Sequence, residues 1–324
     1  MAVNRLRGSF ININYFRVTE MDFAWYIAFP VSILGGIILG AGIGYLVAQL
    51  KIPSFVVTLA TFLALQGLLL LLVGEGGTIR IEDPVILAIE NKNLSVSASW
   101  IFFFLTAGAY LLSGFWKFSK RRRAGLVDNL FKFWLIKSIG LVVISAAATS
   151  ALTVERSNNP ELVSLRGIPY VVPVILVLLV GATFVLTRTS YGLHIYAVGG
   201  SAEAARHAGI NVKMVRITAF MICSGFAAVA GMIFVSRANS VSPTTGGSST
   251  LLYAVGAAVI GGTSLFGGKG KVSDAILGGI VVAVIDNGMA LLGYQAGIKF
   301  MVTGAVLLIS ATIDAISRRG AATS

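Results

Sequence analysis

The stretch FVVTLATFLALQGLLLLLV, Phe55 to Val73, contains no ionisable side chain. A helix of about twenty such residues covers the ~30 Å hydrocarbon thickness of a bilayer. It has no polar face to turn towards water, so it must be buried or surrounded by lipid. Only 12% of the 324 residues are charged, about half the usage of soluble domains. Too little charge remains to cover a globular surface. The solvent for most of this chain is lipid.

Hydropathy divides the rest into nine candidate spans: Trp25–Gln49, Ser54–Val73, Trp100–Trp116, Phe133–Leu152, Val171–Thr187, Met214–Ser236, Leu251–Gly262, Asp274–Leu292 and Lys299–Ile316. The predicted fold class is therefore all-α, a polytopic transmembrane bundle of about 8–9 spans. The seventh stretch is short enough to read as a buried or re-entrant segment. The organisation is a leader over residues 1–24, a membrane domain over 25–318 and a tail over 319–324. The leader carries arginines but no apolar core, which is not the pattern of a secretory signal peptide.

Basic residues set the orientation. The formal net charge is +12, and the Lys and Arg concentrate in short loops. Residues 117–132, 188–213 and 263–273, with Lys51 and Arg318–Arg319, hold most of them. That side is predicted to be cytoplasmic, together with the C-terminus. Distributed this way, the charge argues for membrane topology and against nucleic acid as a partner. Alternating the spans leaves Arg5, Arg7 and Arg17 of the leader on the opposite side, against the charge rule. The single cysteine, Cys223, excludes an intrachain disulfide framework and a cysteine-based zinc site; within its apolar helix it is expected to be a buried, inert thiol.

Catalytic patterns are missing. From Gly262 the chain runs GTSLFGGKG, where no Ser or Thr follows the lysine, so the phosphate-loop pattern fails. The two histidines, His194 and His207, sit in no metal-ligand or hydrolase motif. No catalytic residue, bound cofactor or metal is expected. Any ATP must be used by another chain.

The most informative segment is RTSYGLHIYAVGGSAEAARHAGINVK, residues 188–213. Within it Ser201 is placed to cap a short helix and Glu203 falls in its first turn. Arg206 and His207 fall in the last turn, and Gly209 supplies a left-handed stop. The alanines make this helix slim enough for another protein to approach closely. A plain solvated loop is the competing reading.

Glu203-Ala204-Ala205-Arg206 followed by Gly209-Ile210 resembles the E-A-A motif of ABC importer permeases. KIPSFVVTLATFLALQGL, AVIGGTSLFGGKG and DNGMALLG resemble the ribose- and xylose-type sugar permeases, with the xylose type closest. The resemblance runs from about residue 35 to the C-terminus. It implies a multi-pass subunit of a bacterial plasma membrane importer whose short cytoplasmic helix docks on an ABC-type ATPase. Glu203, Ala204, Ala205, Arg206 and Gly209 would form that contact. Further implied partners are an extracytoplasmic sugar-binding protein, a second permease chain in a homodimer, and a monosaccharide substrate. Helices that such permeases carry upstream of the region matching Trp25–Gln49 have no counterpart here. The expectation is a chain shortened at its N-terminus, which accords with the misplaced arginines.

For the substrate path, Asp286 is the acid lying well inside an apolar span, next to Asn287; Thr58, Gln66 and Asn239 are further candidates. Asp286 could bind sugar hydroxyls or hold helices together. Two other functions compete. One keeps the architecture and changes the cargo to a branched-chain amino acid or another small metabolite. The other is a self-sufficient secondary transporter, whose usual signs are inverted repeats and ion-coupling acids near the midplane.

Overall fold

In a computed structural model the protein is described over residues 25–123, 130–156, 165–265 and 267–322. The leader lies outside the described residues. Twelve helices are resolved among these: α1 (Trp25–Ala48), α2 (Ser54–Val73), α3 (Pro84–Asn91), α4 (Val96–Arg123), α5 (Leu130–Thr153), α6 (Val171–Arg188), α7 (Ser190–Gly200), α8 (Ala202–His207), α9 (Val212–Ala238), α10 (Ser248–Ile260), α11 (Val272–Leu291) and α12 (Ala296–Ala322). Two two-residue strands, β1 (Ile79–Arg80) and β2 (Ser240–Val241), pair antiparallel. The fold is all-α.

Seven helices among the described residues are long and apolar enough to cross a membrane: α1, α2, α4, α5, α6, α9 and α11. Two shorter apolar stretches, Ser248–Ile260 and Gly297–Thr312, complete the set. At 13 residues, α10 reaches only about 20 Å. The tail expected from residue 319 is helical through Ala322.

The described residues divide into two compact units, one within 25–81 and 176–322 and the other within 82–175. In the first, α1 packs along α9 through a glycine every fourth residue. A β-carbon on Gly36 would lie 2.7 Å from the Ser224 carbonyl oxygen, one on Gly40 2.5 Å from that of Phe220, and one on Gly44 2.8 Å from the Ile217 Cα. Such small-residue stripes let membrane helices meet backbone to backbone, where lipid offers no hydrophobic drive for side-chain burial. The same device joins α10 to α11. A β-carbon on Gly261 would overlap the Asp274 carbonyl, and one on Gly278 that of Ala257. At the other end of α9, Asn239 takes a left-handed conformation (φ 55°), and its carbonyl accepts from the Ile81 amide at 3.0 Å, extending the β1–β2 pair.

In the second unit Asp83 caps α3, accepting from the amides of Val85 and Ile86. The loop after α5 folds back on the start of α4. The fully buried Ser99 hydroxyl accepts from the Ile168 amide at 3.0 Å, and the Ile168 carbonyl accepts from Leu94 at 2.8 Å.

Cys223 is exposed on α9, contrary to the buried thiol expected from its apolar surroundings. Apolar neighbours in sequence cannot distinguish a lipid-facing side from a packed one.

Candidate functional site

The 188–213 segment folds into a bent arm. The arm begins where Thr189 caps α7, accepting from the Gly192 amide at 3.3 Å. Gly192 is required at the bend, because a β-carbon there would overlap the backbone of Leu186. Ser201 then ends α7 and begins α8. Its amide donates to the Ala197 carbonyl at 3.0 Å, and its hydroxyl accepts from the Ala204 amide at 3.2 Å.

Helix α8 closes as its sequence predicts. Gly209 has φ +81°, its amide donates to the Arg206 carbonyl, and the Ile210 amide donates to the Ala205 carbonyl, each at 3.0 Å. This pair of bonds is the Schellman arrangement, which satisfies the last carbonyls of the helix. Glu203 lies in the first turn, and Arg206 and His207 in the last. Each charge therefore complements the helix dipole at its own end.

The five residues of the motif do not share one environment. Ala205 is buried, at 4% exposure, whereas Glu203, Ala204, Arg206 and Gly209 are exposed. Ala205 seats the helix, and Glu203 and Arg206 stand exposed beside the small Ala204 and Gly209. Beneath the arm lies a cleft of about 350 Å³ lined by Tyr191, His194, Gly209, Asn211 and Thr218 among others. Two hydroxyls fasten α7 to the body: Tyr191 donates to Thr218 on α9 at 2.9 Å, and Tyr196 donates to the Gly270 carbonyl at 2.7 Å.

The structure does not gather the substrate-path candidates into one site. Thr58 and Asn287 both turn back on their own helices: Thr58 donates to the Ser54 carbonyl at 2.9 Å and Asn287 to that of Ala283 at 2.9 Å. Asn239 is the left-handed end of α9. Gln66 lies beside Gly247, at the start of α10. Asp286 stands in the last two turns of α11, 3.7 Å from Lys299 in the first turn of α12. Tyr253 of α10 reaches the same carboxylate. Three helices thus share one polar cluster, whose carboxylate remains about 42% exposed. Among the described residues no group of His, Cys, Asp and Glu could hold a metal ion.

Two features escaped the sequence reading. The Gly36-Gly40-Gly44 stripe was visible as a four-residue repeat in LGGIILGAGIGY, the spacing that membrane interfaces favour. The Asp286–Lys299 pair was not visible, because it depends on how tightly the chain turns between α11 and α12.

The chain was compared with known proteins. Over 293 residues it is 36% identical to the xylose transport system permease protein of Escherichia coli (strain K12), covering 89% of this chain and 70% of that protein. The corresponding protein of Haemophilus influenzae is 33% identical over 302 residues, covering 92% of this chain and 77% of the relative. The ribose import permease protein of E. coli (strain K12) is 36% identical over 148 residues, 46% of each chain. No solved structure matches significantly. Residues 8–311 match the family described as branched-chain amino acid transport system / permease component, and with relatives this similar along most of its length the chain belongs to that family of multi-pass membrane permeases.

Proposed function

We propose that this chain is the membrane-spanning permease subunit of an ATP-driven importer for a xylose- or ribose-like monosaccharide. ATP is hydrolysed by a separate ABC-type ATPase, which docks on α8. An extracytoplasmic binding protein delivers the sugar, and a second permease chain completes the pore as a homodimer. The C-terminus and the α7–α8 arm lie on the cytoplasmic side, where the basic loops concentrate.

The observation that carries this reading is the geometry of α8. It is a two-turn helix closed at both ends by its own residues, seated on a buried Ala205 and presenting Glu203 and Arg206 outward. A helix capped in this way keeps its shape when pushed, which a docking element must do. The xylose and ribose permeases among the relatives supply the cargo class. A neutral sugar needs no full counter-charge, consistent with the sparse charge inside the spans.

Two experiments test the reading. Mild detergent extraction is expected to co-purify an ABC-type ATPase, and Glu203→Ala or Gly209→Leu to weaken that association. At φ +81° a leucine costs about 1–2 kcal/mol, enough to unwind the last turn. Undiminished co-purification of both variants sinks the docking assignment. Reconstituted uptake of D-xylose is expected to require ATP and to ignore proton and sodium gradients; gradient-driven uptake by the chain alone favours a secondary transporter.

The family description itself supports a second cargo, a branched-chain amino acid. The substrate taken up separates the two: the reconstituted complex imports D-xylose under the sugar reading and leucine under the other.

A further inference from the structure

We propose that the glycine-rich turn between α10 and α11, residues 261–265 and 267–271, is the element through which movement of the docking arm reaches the α10–α11 hairpin, with Tyr196 as its positioning residue. This rests on the docking role assigned to α8 and extends it to the next link in the chain of motion.

The contact is made of backbone. A β-carbon on Gly199 would lie 2.7 Å from the Gly268 amide nitrogen. One on Gly267 would lie 2.7 Å from the Gly199 carbonyl oxygen, and one on Gly268 2.9 Å from the Gly200 Cα. Gly267 and Gly268 also take left-handed conformations, at φ +87° and +76°, so the turn needs glycine for its shape as well as for space. Two glycine pairs, 68 positions apart in sequence, thus touch with no side chain between them. Beside them the Tyr196 hydroxyl donates to the Gly270 carbonyl at 2.7 Å.

The turn is braced by its own hydrogen bonds. The Ser264 amide donates to the Lys269 carbonyl at 3.1 Å, and the Gly267 amide to the Ser264 carbonyl at 3.2 Å. The Asp274 carboxylate accepts from the Lys271 amide at 2.8 Å, closing the first turn of α11. On the far side, Gly261 and Gly278 press the α10 backbone against α11. Side-chain contacts can absorb a displacement by changing rotamer, whereas backbone on backbone leaves nothing soft to yield. From Gly199 and Gly200, next to the residue that starts α8, the contact with the turn is of this kind, and so is that of Gly261 and Gly278 between α10 and α11. A shift at Ser201 therefore moves the α10–α11 hairpin with its Tyr253 and Asp286, which meet Lys299 of α12.

Tyr196→Phe removes one hydrogen bond and keeps the ring. Gly199→Ala forces the arm and the turn apart. Each is compared with wild type in the ATPase-bound complex, first by ATPase co-purification and then by D-xylose taken up per ATP hydrolysed in proteoliposomes. Both variants are expected to retain the ATPase within about two-fold. Uptake per ATP should fall about five-fold in Tyr196→Phe, the factor set by one hydrogen bond of ordinary net strength, and further in Gly199→Ala. An unchanged ratio in Tyr196→Phe overturns the proposal. So does a loss of uptake that only tracks a loss of ATPase, because the contact would then merely hold the docking helix in place. Failure of the docking assignment itself shows separately, as Glu203→Ala and Gly209→Leu complexes that keep their ATPase.

Discussion

The two units of this protein are joined internally by different means. In residues 25–81 with 176–322, helices meet through bare backbone: α1 on α9, α10 on α11, and the α7–α8 arm on its turn. In residues 82–175 helix meets helix through side chains, and backbone meets backbone only in the loops, where a β-carbon on Gly167 would overlap the Leu94 carbonyl. Trp134 fills the space above Gly114, and the buried Ser99 hydroxyl holds the Ile168 amide. Glu155 accepts from the Leu165 amide at 3.0 Å and pairs with Arg166 at 3.0 Å. Backbone contact demands one residue type and transmits force without slack. Side-chain contact tolerates substitution and yields. The glycine-joined unit is also the one that contains the α7–α8 arm.

The sharpest way to break this contrast is a bulky residue inside the glycine stripe. Gly40→Leu is expected to destabilise the protein by roughly 3 kcal/mol, the upper range for overpacking, measured by SDS-titrated unfolding in mixed micelles. Gly35→Leu, five positions earlier, is its control. A β-carbon at Gly35 meets nothing within 4 Å, so that variant should unfold with wild type; equal losses would show that the stripe is not the interface. In the other unit, Ser99→Ala leaves a buried amide without its acceptor, at a cost of about 1–3 kcal/mol. Faster hydrogen exchange at Ile168 would locate the damage. The smallest effect belongs to Arg166→Ala. The arginine side chain is 56% exposed, and such pairs contribute about 0–1 kcal/mol. A larger loss would mean that the loop after α5 depends on charge more than on its Ser99 anchor.

The sequence made the spans and the capped helix α8 legible for a common reason: both are local. Apolar run length fixes where a helix can cross a bilayer, and the boundaries of α2, Ser54–Val73, coincide with those read from hydropathy. Ser201, Glu203 and Gly209 each act on residues within one or two turns, so their caps follow from spacing alone. What stayed hidden was non-local. Gly199 and Gly268 touch only once the intervening helices are placed. Asp286, read as an acid deep within its span, stands five residues from the end of α11 and faces Lys299. Hydropathy also cannot say which side of an apolar helix faces protein. Cys223, on the exposed side of α9, shows the limit.

Ser201 terminates one helix and starts the next with no residue to spare. The phase between α7 and α8 is therefore set like the teeth of two gears keyed to one shaft. One extra residue at this joint would rotate α8 by about 100°, turning Ala205 out of its seat and pointing Glu203 and Arg206 elsewhere. Along this segment a single-codon insertion is a harsher lesion than almost any exchange of one amino acid for another.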